Sequence, residues 1–188
     1  MTIEQAPFFE VLTRTFQRPA MLAQNQASLA MQTDLDFVQT LIPDEVGIGV
    51  AQANARLADV DVVGAYVWVL DDDDICVEMG LFAKLRRVIG AMREAPAAIV
   101  VRMDHGPLGV LPPVDDPSWG KVPAQGRIGA SALIVRRDIW YQYREHWRSG
   151  RYEADYDFIA AVLRHESHVV WLDLVAAAVL RISRGATE

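Results

Sequence analysis

Four consecutive aspartates, Asp71 to Asp74, directly follow the apolar run from Tyr66 to Leu70. Carboxylates at this density repel one another, and burying them without partners carries a large free-energy cost. Mg²⁺ and Mn²⁺ prefer hard oxygen ligands, and these ions also bind substrate phosphates. Because Asp71 and Asp73 can converge within one turn, the segment predicts a divalent-cation site at the end of a buried strand. The alternative is a solvated acidic loop.

A second acidic group, Asp155 and Asp157, lies near the start of a predicted helix. Anions are favoured at this end of a helix by its dipole, and Asp155 or Glu153 could simply serve as the N-terminal cap. A carboxylate in this position could also act as a general base that deprotonates an acceptor hydroxyl within hydrogen-bonding reach. The local sequence leaves both interpretations open.

A weaker signal is the pair Gly47 and Gly49, which precede Asn54. The segment lacks the third glycine of a dinucleotide fingerprint and the Gly-Lys-Ser/Thr of a P-loop, so alone it predicts only a strand-to-helix turn. The four histidines show no metal-binding spacing. His105, in the glycine- and proline-rich stretch 104–126, is the candidate for ligand contact, and Trp119 could stack on an acceptor ring or pin the loop by burial.

These side chains depend on an alternating series of strands and helices. Apolar runs and glycine or proline breaks predict strands at 8–12, 36–42, 66–70, 98–103, 128–135 and 169–172. They predict helices at 19–32, 77–93, 137–147 and 152–165, and one more that follows a turn at 47–49 and runs through Leu57. Such alternation predicts an α/β fold, with a mostly parallel sheet and helices on both faces. Ligands then bind at the carboxyl ends of the strands, where this assignment places Thr13, Asp44 and Asp71.

Composition limits the classes of protein that fit. A chain of 188 residues, 52% hydrophobic and 23% charged, suits a single soluble domain without an internal linker. The net charge of −7 argues against a general nucleic-acid binder. The single cysteine, Cys76, fits a reducing compartment. Because the N-terminus lacks a signal pattern and the apolar stretch 169–180 is too short to span a bilayer, a cytoplasmic protein without a membrane span is expected.

Taken in order, four segments resemble the GT-A nucleotide-sugar glycosyltransferases of the family 2 type. The resemblance covers nearly the whole chain. It is carried by Val11–Pro19, similar to the first strand and nucleotide loop, Gly49–Leu57, similar to the glycine-to-asparagine helix, Leu70–Asp74, similar to the Asp-any-Asp segment, and Ala154–Ile159, similar to the late Glu-Asp motif.

The resemblance implies a Rossmann-like three-layer sandwich in which residues 1–188 form a single domain. It implies a nucleoside-diphosphate sugar as donor substrate and Mn²⁺ or Mg²⁺ as cofactor. Asp71 and Asp73 would ligate the metal, and Asp155 matches the catalytic aspartate. The nucleotide would be bound by Thr13, Arg18, Asp44, Asn54, Asp71 and Asp72.

Two departures leave parts of this picture open. Ala154 stands where a glutamate usually precedes the catalytic aspartate, so Glu153 or Asp157 could be the base instead. Asp44 is followed by Glu45 where a serine is common, which leaves the nucleobase open. The sequence does not indicate the sugar or the oligomeric state. The acceptor hydroxyl could belong to a glycan, a lipid-linked saccharide, a protein or a modified nucleobase, the one form in which nucleic acid is expected as a partner.

The leading hypothesis is therefore a metal-dependent inverting glycosyltransferase with Asp155 as general base. One alternative is a phosphohydrolase with an aspartate nucleophile, since its first strand also ends in Asp-any-Asp and Asp71 and Asp73 fit that pattern. Against it, two strand–helix units precede the motif, and Ile75 stands where threonine or valine is expected. A non-catalytic nucleotide-sugar binder on the same fold is the other alternative.

Overall fold

A computed structural model describes residues 6–180. Its strands are β1 (Phe9–Thr15), β2 (Phe37–Pro43), β3 (Tyr66–Val69), β4 (Asp74–Cys76), β5 (Ala98–Asp104), β6 (Val110–Leu111), β7 (Leu133–Arg136) and β8 (Val169–Val179). Its α-helices are α1 (Pro19–Ala30), α2 (Val50–Leu57), α3 (Leu81–Gly90), α4 (Arg137–Tyr143) and α5 (Ala154–His165). No helix within residues 6–180 has the length and hydropathy needed to cross a membrane.

All of these strands join one sheet in the order β2-β1-β3-β7-β5-β8-β4, with β6 paired to β5 outside that path. The pairings of β1 with β2, of β1 with β3 and of β5 with β8 are parallel, whereas β7 runs antiparallel to both β3 and β5. Strands β1, β2, β3, β5 and β8 therefore point the same way. The predicted α/β fold with a mostly parallel sheet is confirmed.

The alternation of side chains along the strands divides the core into two clusters. Tyr66 and Trp68 in β3 face a cluster that contains Leu29 of α1 and Phe82 of α3. The intervening Val67 faces the other cluster, to which α2, α4 and α5 contribute Leu57, Trp140 and Phe158. Burial of one large apolar side chain contributes about 2 kcal/mol, so both faces of the sheet favour a covering layer of helices. The result is a three-layer sandwich.

The region after the four aspartates differs from its prediction. The helix predicted at 77–93 covers only Leu81–Gly90, and Asp74–Cys76 forms strand β4 instead. Strand β8, predicted to end at Leu172, continues to Val179. The extension has β5 on one side and β4 on the other, so its backbone hydrogen bonds are satisfied by neighbours distant in sequence.

Three other predicted elements have different bounds in the structure. Strand β1 runs to Thr15 because its last residues pair with Leu41–Pro43 of β2. The strand predicted at 128–135 is replaced by a 3-10 turn at Ala130–Ala132 that leads into β7. The helix predicted at 137–147 ends at Tyr143 and continues as a 3-10 helix through Arg148, which allows Trp147 to pack in the core.

Candidate functional site at the carboxyl edge of the sheet

The turn between β3 and β4 brings three carboxylates together. This segment, Asp71–Asp74, is called the acidic turn below. One oxygen each from Asp71, Asp73 and Asp74 lies within 4.8 Å of the other two. Asp71 and Asp73 were the predicted metal ligands, and Asp74 is an addition, because the Asp-any-Asp pattern had paired only positions 71 and 73. Three hard oxygen ligands that converge from one short segment fit a divalent cation of the Mg²⁺ or Mn²⁺ type.

The fourth carboxylate, Asp72, turns into the protein. Its side chain is fully buried, accepts a hydrogen bond from the backbone N–H of Phe16 at 3.0 Å and forms an ion pair with Arg18. Burial raises the pKa of Asp72, against the opposing effects of the Phe16 hydrogen bond and the Arg18 charge. The predicted contact of Asp72 with a nucleotide does not match this geometry. Asp72 instead fastens the segment after β1 to the acidic turn.

Two arginines from that segment neutralise part of the acidic turn. Arg14 donates to both carboxylate oxygens of Asp71, from Nε at 2.8 Å and from Nη2 at 2.5 Å, and its third nitrogen donates to Asn54. Arg18 donates from Nη1 to Asp73 at 2.5 Å. Burial disfavours the charged Arg14 guanidinium, but Asp71 outweighs this effect and the pKa of Arg14 is raised. Sequence reasoning did not single out Arg14.

A buried amide fixes the backbone of the acidic turn. The side-chain nitrogen of Asn25, on α1, donates to the carbonyl oxygens of Asp71 and Asp74, both at 2.9 Å. Gln39 of β2 donates to the side-chain oxygen of Asn25 at 2.7 Å and to the hydroxyl of Thr13 at 2.8 Å. The only signal for this role in the sequence was a polar residue on the buried face of a helix.

Asp74 occupies the deepest position of the three converging carboxylates. Its Oδ2 atom accepts a hydrogen bond from Ser131 Oγ at 2.9 Å. Burial raises the pKa of Asp74 from its ordinary value of 3.8 to about 8, and the negative charges of Asp71 and Asp73 add to the increase. At neutral pH, the metal-free protein therefore holds a proton on Asp74. A bound divalent cation would replace that proton.

Asp155 lies at the start of α5 and is directed toward the same region. Its carboxylate accepts a hydrogen bond from the backbone N–H of Tyr156 at 2.8 Å. Burial raises the pKa of Asp155, the charge of Arg14 opposes that rise, and the charge of Asp71 adds to it. Asp155 is thus close enough to the acidic turn to respond to its charges.

Glu153 and Asp157, the other two candidate bases, both lie near Arg151. Arg151 lies 3.8 Å from a carboxylate oxygen of Glu153 and 3.2 Å from one of Asp157. Both carboxylates therefore belong to an ion-pair group centred on Arg151. Asp155 instead lies near enough to Arg14 and Asp71 for their charges to shift its pKa.

A cleft of about 550 Å³ opens beside the acidic turn, within the size range of small-molecule sites. The predicted residues Arg18, Asp44, Asp71 and Asp73 all line it. Thr13 and Asn54 do not: both are buried behind its wall and bonded to Gln39 and Arg14. The remaining lining residues are Arg14, Thr15, Phe16, Ile42, Gly47, Gly49, Val50, Ala53, Arg56 and Tyr152.

The far wall of the cleft is a turn closed by Asp44. The Asp44 carboxylate accepts backbone N–H hydrogen bonds from Val46 at 3.2 Å, Gly47 at 2.8 Å and Ile48 at 2.9 Å. Gly47 has a φ of +74°, and a Cβ atom there would lie 3.1 Å from the Phe16 ring. The structure thus confirms the strand-to-helix turn predicted around Gly47.

The 104–126 stretch borders the start of α5. The Tyr156 hydroxyl donates to the carbonyl oxygen of Pro123 at 3.0 Å, and Trp119 packs edge-on against Trp171 with ring centroids 5.2 Å apart. The Trp119 geometry favours the interpretation that this ring pins its loop. His105 lies against Gly129, and its buried Nε2 atom lacks a hydrogen-bond partner among the described residues.

Comparison with known proteins identifies the fold. No protein-family model and no curated protein sequence matches the chain. Solved structures do match. Residues 1–349 of S. aureus TarS in complex with UDP-GlcNAc align with a TM-score of 0.65 and 13% identity over 93% of this chain. The mannosyltransferase PcManGT from Pyrobaculum calidifontis, in complex with GDP-Man and Mn²⁺, aligns with a TM-score of 0.60 and 14% identity over 97% of this chain.

A third match is a glycosyltransferase involved in glycosylation of the major capsid of PBCV-1, with a TM-score of 0.54 and 8% identity. The chain spans 95% of that protein but only 58% of the TarS fragment and 59% of the mannosyltransferase. At these identities the likeness establishes the fold. The chain has the GT-A glycosyltransferase fold, as the sequence resemblance predicted.

Proposed function

We propose that the chain is a nucleotide-sugar glycosyltransferase that binds its donor in the cleft beside the acidic turn. The observation that carries this proposal is the convergence of Asp71, Asp73 and Asp74, of which Asp71 and Asp73 line the cleft and Asp74 lies behind them. Two proteins with the same fold hold nucleotide sugars, UDP-GlcNAc in one and GDP-Man with Mn²⁺ in the other. A donor of the same class follows for this chain, with the sugar and nucleobase left unassigned.

The three converging carboxylates fit a bound Mn²⁺ or Mg²⁺. The buried Asp74 carboxyl, with its pKa raised to about 8, requires either a proton or a cation beside it. Asp71 and Asp73 complete the ligand set from the exposed side. When bound, the cation supplies positive charge that stabilises the nucleoside-diphosphate leaving group. Arg14 and Arg18 line the same cleft and add positive charge around that group.

The chemical step is proposed as a direct displacement with inversion at the anomeric carbon. Asp155 accepts the proton of the acceptor hydroxyl, and the oxygen of that hydroxyl forms the new bond to the anomeric carbon. The bond from that carbon to the diphosphate breaks, and its electron pair leaves with the diphosphate. Asp155 is preferred over Glu153 and Asp157 because those two carboxylates pair with Arg151.

The acceptor is proposed to approach between the 104–126 stretch and the start of α5. Asp155 and Tyr156 border this side, and His105 offers a buried ring nitrogen without a partner among the described residues. A neutral imidazole can donate or accept a hydrogen bond from a sugar hydroxyl, and burial lowers the pKa of His105, which favours the neutral form. Nothing in this geometry selects a glycan, lipid, protein or nucleobase acceptor.

Donor hydrolysis tests the proposal without knowledge of the acceptor. The protein is incubated with Mn²⁺ and each of several UDP-, GDP- and dTDP-sugars, and the released nucleoside diphosphate is measured. We expect slow turnover of one nucleotide sugar and none of p-nitrophenyl phosphate. Hydrolysis of the phosphomonoester instead would indicate a phosphohydrolase. Tight binding of a nucleotide sugar without turnover, even with candidate acceptors, would indicate a non-catalytic binder.

A further inference from the structure

We propose that Arg18 is an exchangeable counter-ion, which occupies Asp73 in the empty protein and moves to the donor diphosphate when a cation binds. The inference rests on the proposed function and adds a role for one side chain. The family resemblance implied that Arg18 binds the nucleotide. Its contacts instead place it between two carboxylates of the acidic turn, at the wall of the cleft.

The two contacts of Arg18 differ in how free they are to change. Asp72 has no exposed side-chain surface and is also held by the backbone N–H of Phe16, so this contact is a fixed anchor. Asp73 is 37% exposed and Arg18 is 38% exposed, and they meet at 2.5 Å inside the cleft. The Nη2 atom contacts the anchor and the Nη1 atom contacts Asp73. Nη1 can therefore turn away while Nη2 stays bound to Asp72.

A cation at the converging carboxylates would weaken the contact between Arg18 and Asp73. Arg18 Nη1 donates to the same carboxylate that offers an oxygen to the metal, so the two positive charges would repel each other, and this contact is a single hydrogen bond. Once released from Asp73, Nη1 remains in the cleft next to the space where a diphosphate would lie. The guanidinium group is well suited to phosphate oxygens, since its planar N–H groups match them in geometry and charge.

Arg14 is held more firmly at Asp71 than Arg18 is at Asp73. It is only 19% exposed, donates to both oxygens of Asp71, and is also bonded to Asn54. Release of Arg14 would leave buried donors and acceptors without partners, which is costly. Of the two arginines at the acidic turn, Arg18 is therefore the one that exchanges. It follows that cation and diphosphate should bind with positive coupling, because each favours the position of Arg18 that suits the other.

The experiment compares the wild-type protein with Arg18→Gln by calorimetry, using Mn²⁺ alone and then inorganic pyrophosphate at saturating Mn²⁺. Arg86→Gln is the matched control, because Arg86 is 36% exposed and also bridges two aspartates, Asp34 and Asp36, away from the cleft. We expect Arg18→Gln to bind Mn²⁺ alone about tenfold more tightly and pyrophosphate about tenfold more weakly than wild type, as loss of one charge-assisted contact implies. Arg86→Gln should match wild type in both titrations.

Opposite shifts in the two affinities support the exchange. The proposal is overturned if Arg18→Gln binds Mn²⁺ no more tightly than wild type, or if its pyrophosphate affinity is unchanged. Arg18→Lys, which keeps the charge, checks against a folding defect: it should bind Mn²⁺ alone about as weakly as wild type, at an unchanged melting temperature. The donor-hydrolysis panel tests the proposed function separately. If the wild-type protein hydrolyses a nucleotide sugar but Arg18→Gln binds Mn²⁺ and pyrophosphate as wild type does, only the exchange is rejected.

Discussion

Arg14 donates hydrogen bonds to both carboxylate oxygens of Asp71, and these two residues lie 57 positions apart in the sequence. The same guanidinium also bonds Asn54 of α2, so one side chain of β1 joins the acidic turn to a helix on one face of the sheet. Asp71 is therefore held in a single orientation by contacts within the protein. A carboxylate fixed in this way is suited to position a cation and poorly suited to act as a free nucleophile, which argues against the phosphohydrolase alternative.

Arg14→Lys should destabilise the protein by about 1–3 kcal/mol, because a single ammonium group cannot satisfy Asp71 and Asn54 together. The free energy of unfolding is measured by urea denaturation. Arg148→Lys is the control, since Arg148 pairs with Asp59 and Glu145 at the surface, where ion pairs contribute little. Equal losses in the two variants would mean that the Arg14 contacts are no stronger than a surface ion pair.

Asp155→Asn should lower the transfer rate by about 100-fold or more, as expected when a general base is removed. The affinity for the donor nucleotide should stay close to that of wild type, because Asp155 does not line the cleft beside the acidic turn. Turnover is measured with the donor identified by the hydrolysis panel and a matching acceptor. Asp157→Asn serves as control and should retain activity. If Asp157→Asn is the inactive variant, the base has been assigned to the wrong carboxylate.

Asp73→Ala should abolish the part of donor binding that depends on metal. Calorimetry with the donor nucleotide, with and without Mn²⁺, measures that part as the difference between two affinities. The control is Asp173→Ala, which removes a 65% exposed carboxylate paired with Arg102 outside the cleft. An Asp73→Ala protein that still responds to Mn²⁺ as wild type does would exclude Asp73 from the ligand set.

Asn25→Leu should cost about 3 kcal/mol of stability, because it removes the three buried hydrogen bonds that the Asn25 side chain makes with Asp71, Asp74 and Gln39. It should also weaken Mn²⁺ binding, since the backbone of the acidic turn loses its anchor on α1. Thermal unfolding and a Mn²⁺ titration give the two readouts. Gln24→Leu changes the exposed neighbouring position on the same helix and should alter neither.

Asp74→Asn should change the pH dependence of stability in the absence of metal. The pKa of Asp74 is about 8 in the folded chain and 3.8 ordinarily, so between these values the folded state holds a proton that the unfolded state has lost. Stability must therefore fall as pH rises from about 4 to about 8, and the fall should end above the folded pKa. Melting temperatures measured in EDTA should show a steeper decline for wild type than for Asp74→Asn. Parallel curves would contradict the raised pKa.

The sequence predicted the framework of the site better than its internal contacts. The sequence placed Asp71 and Asp73 at the carboxyl edge of a sheet, because the apolar run before them predicts a buried strand and the alternation of strands and helices predicts a mostly parallel sheet. The partners Arg14 and Asn25 were missed as site residues because they reach the turn from β1 and α1, and such distant pairings leave no local signature. Strand β4 was missed for the same reason, since it exists only through its pairing with β8.

The sequence pattern also did not predict which aspartates of the acidic turn are buried and which are exposed. All four aspartates look alike in the sequence, yet Asp72 is fully buried against Phe16 and Arg18 while Asp73 is exposed to the cleft. Thr13 and Asn54, which the resemblance counted among the nucleotide-binding residues, are buried behind the wall of the cleft. Which carboxylate faces inward depends on the path of the backbone between β3 and β4, and that path is set by hydrogen bonds from Asn25.

The stretch from residue 112 to 127 contacts the rest of the molecule at its start, where Arg102 donates to the Pro112 carbonyl oxygen, and again near its middle and end. Trp119 rests on Trp171, and Pro123 accepts the hydroxyl of Tyr156. Neither contact involves the aspartates or the arginines beside them. A segment of different length could therefore be grafted into this stretch while the acidic turn stays intact, and under the proposed function such a graft should change the acceptor preference.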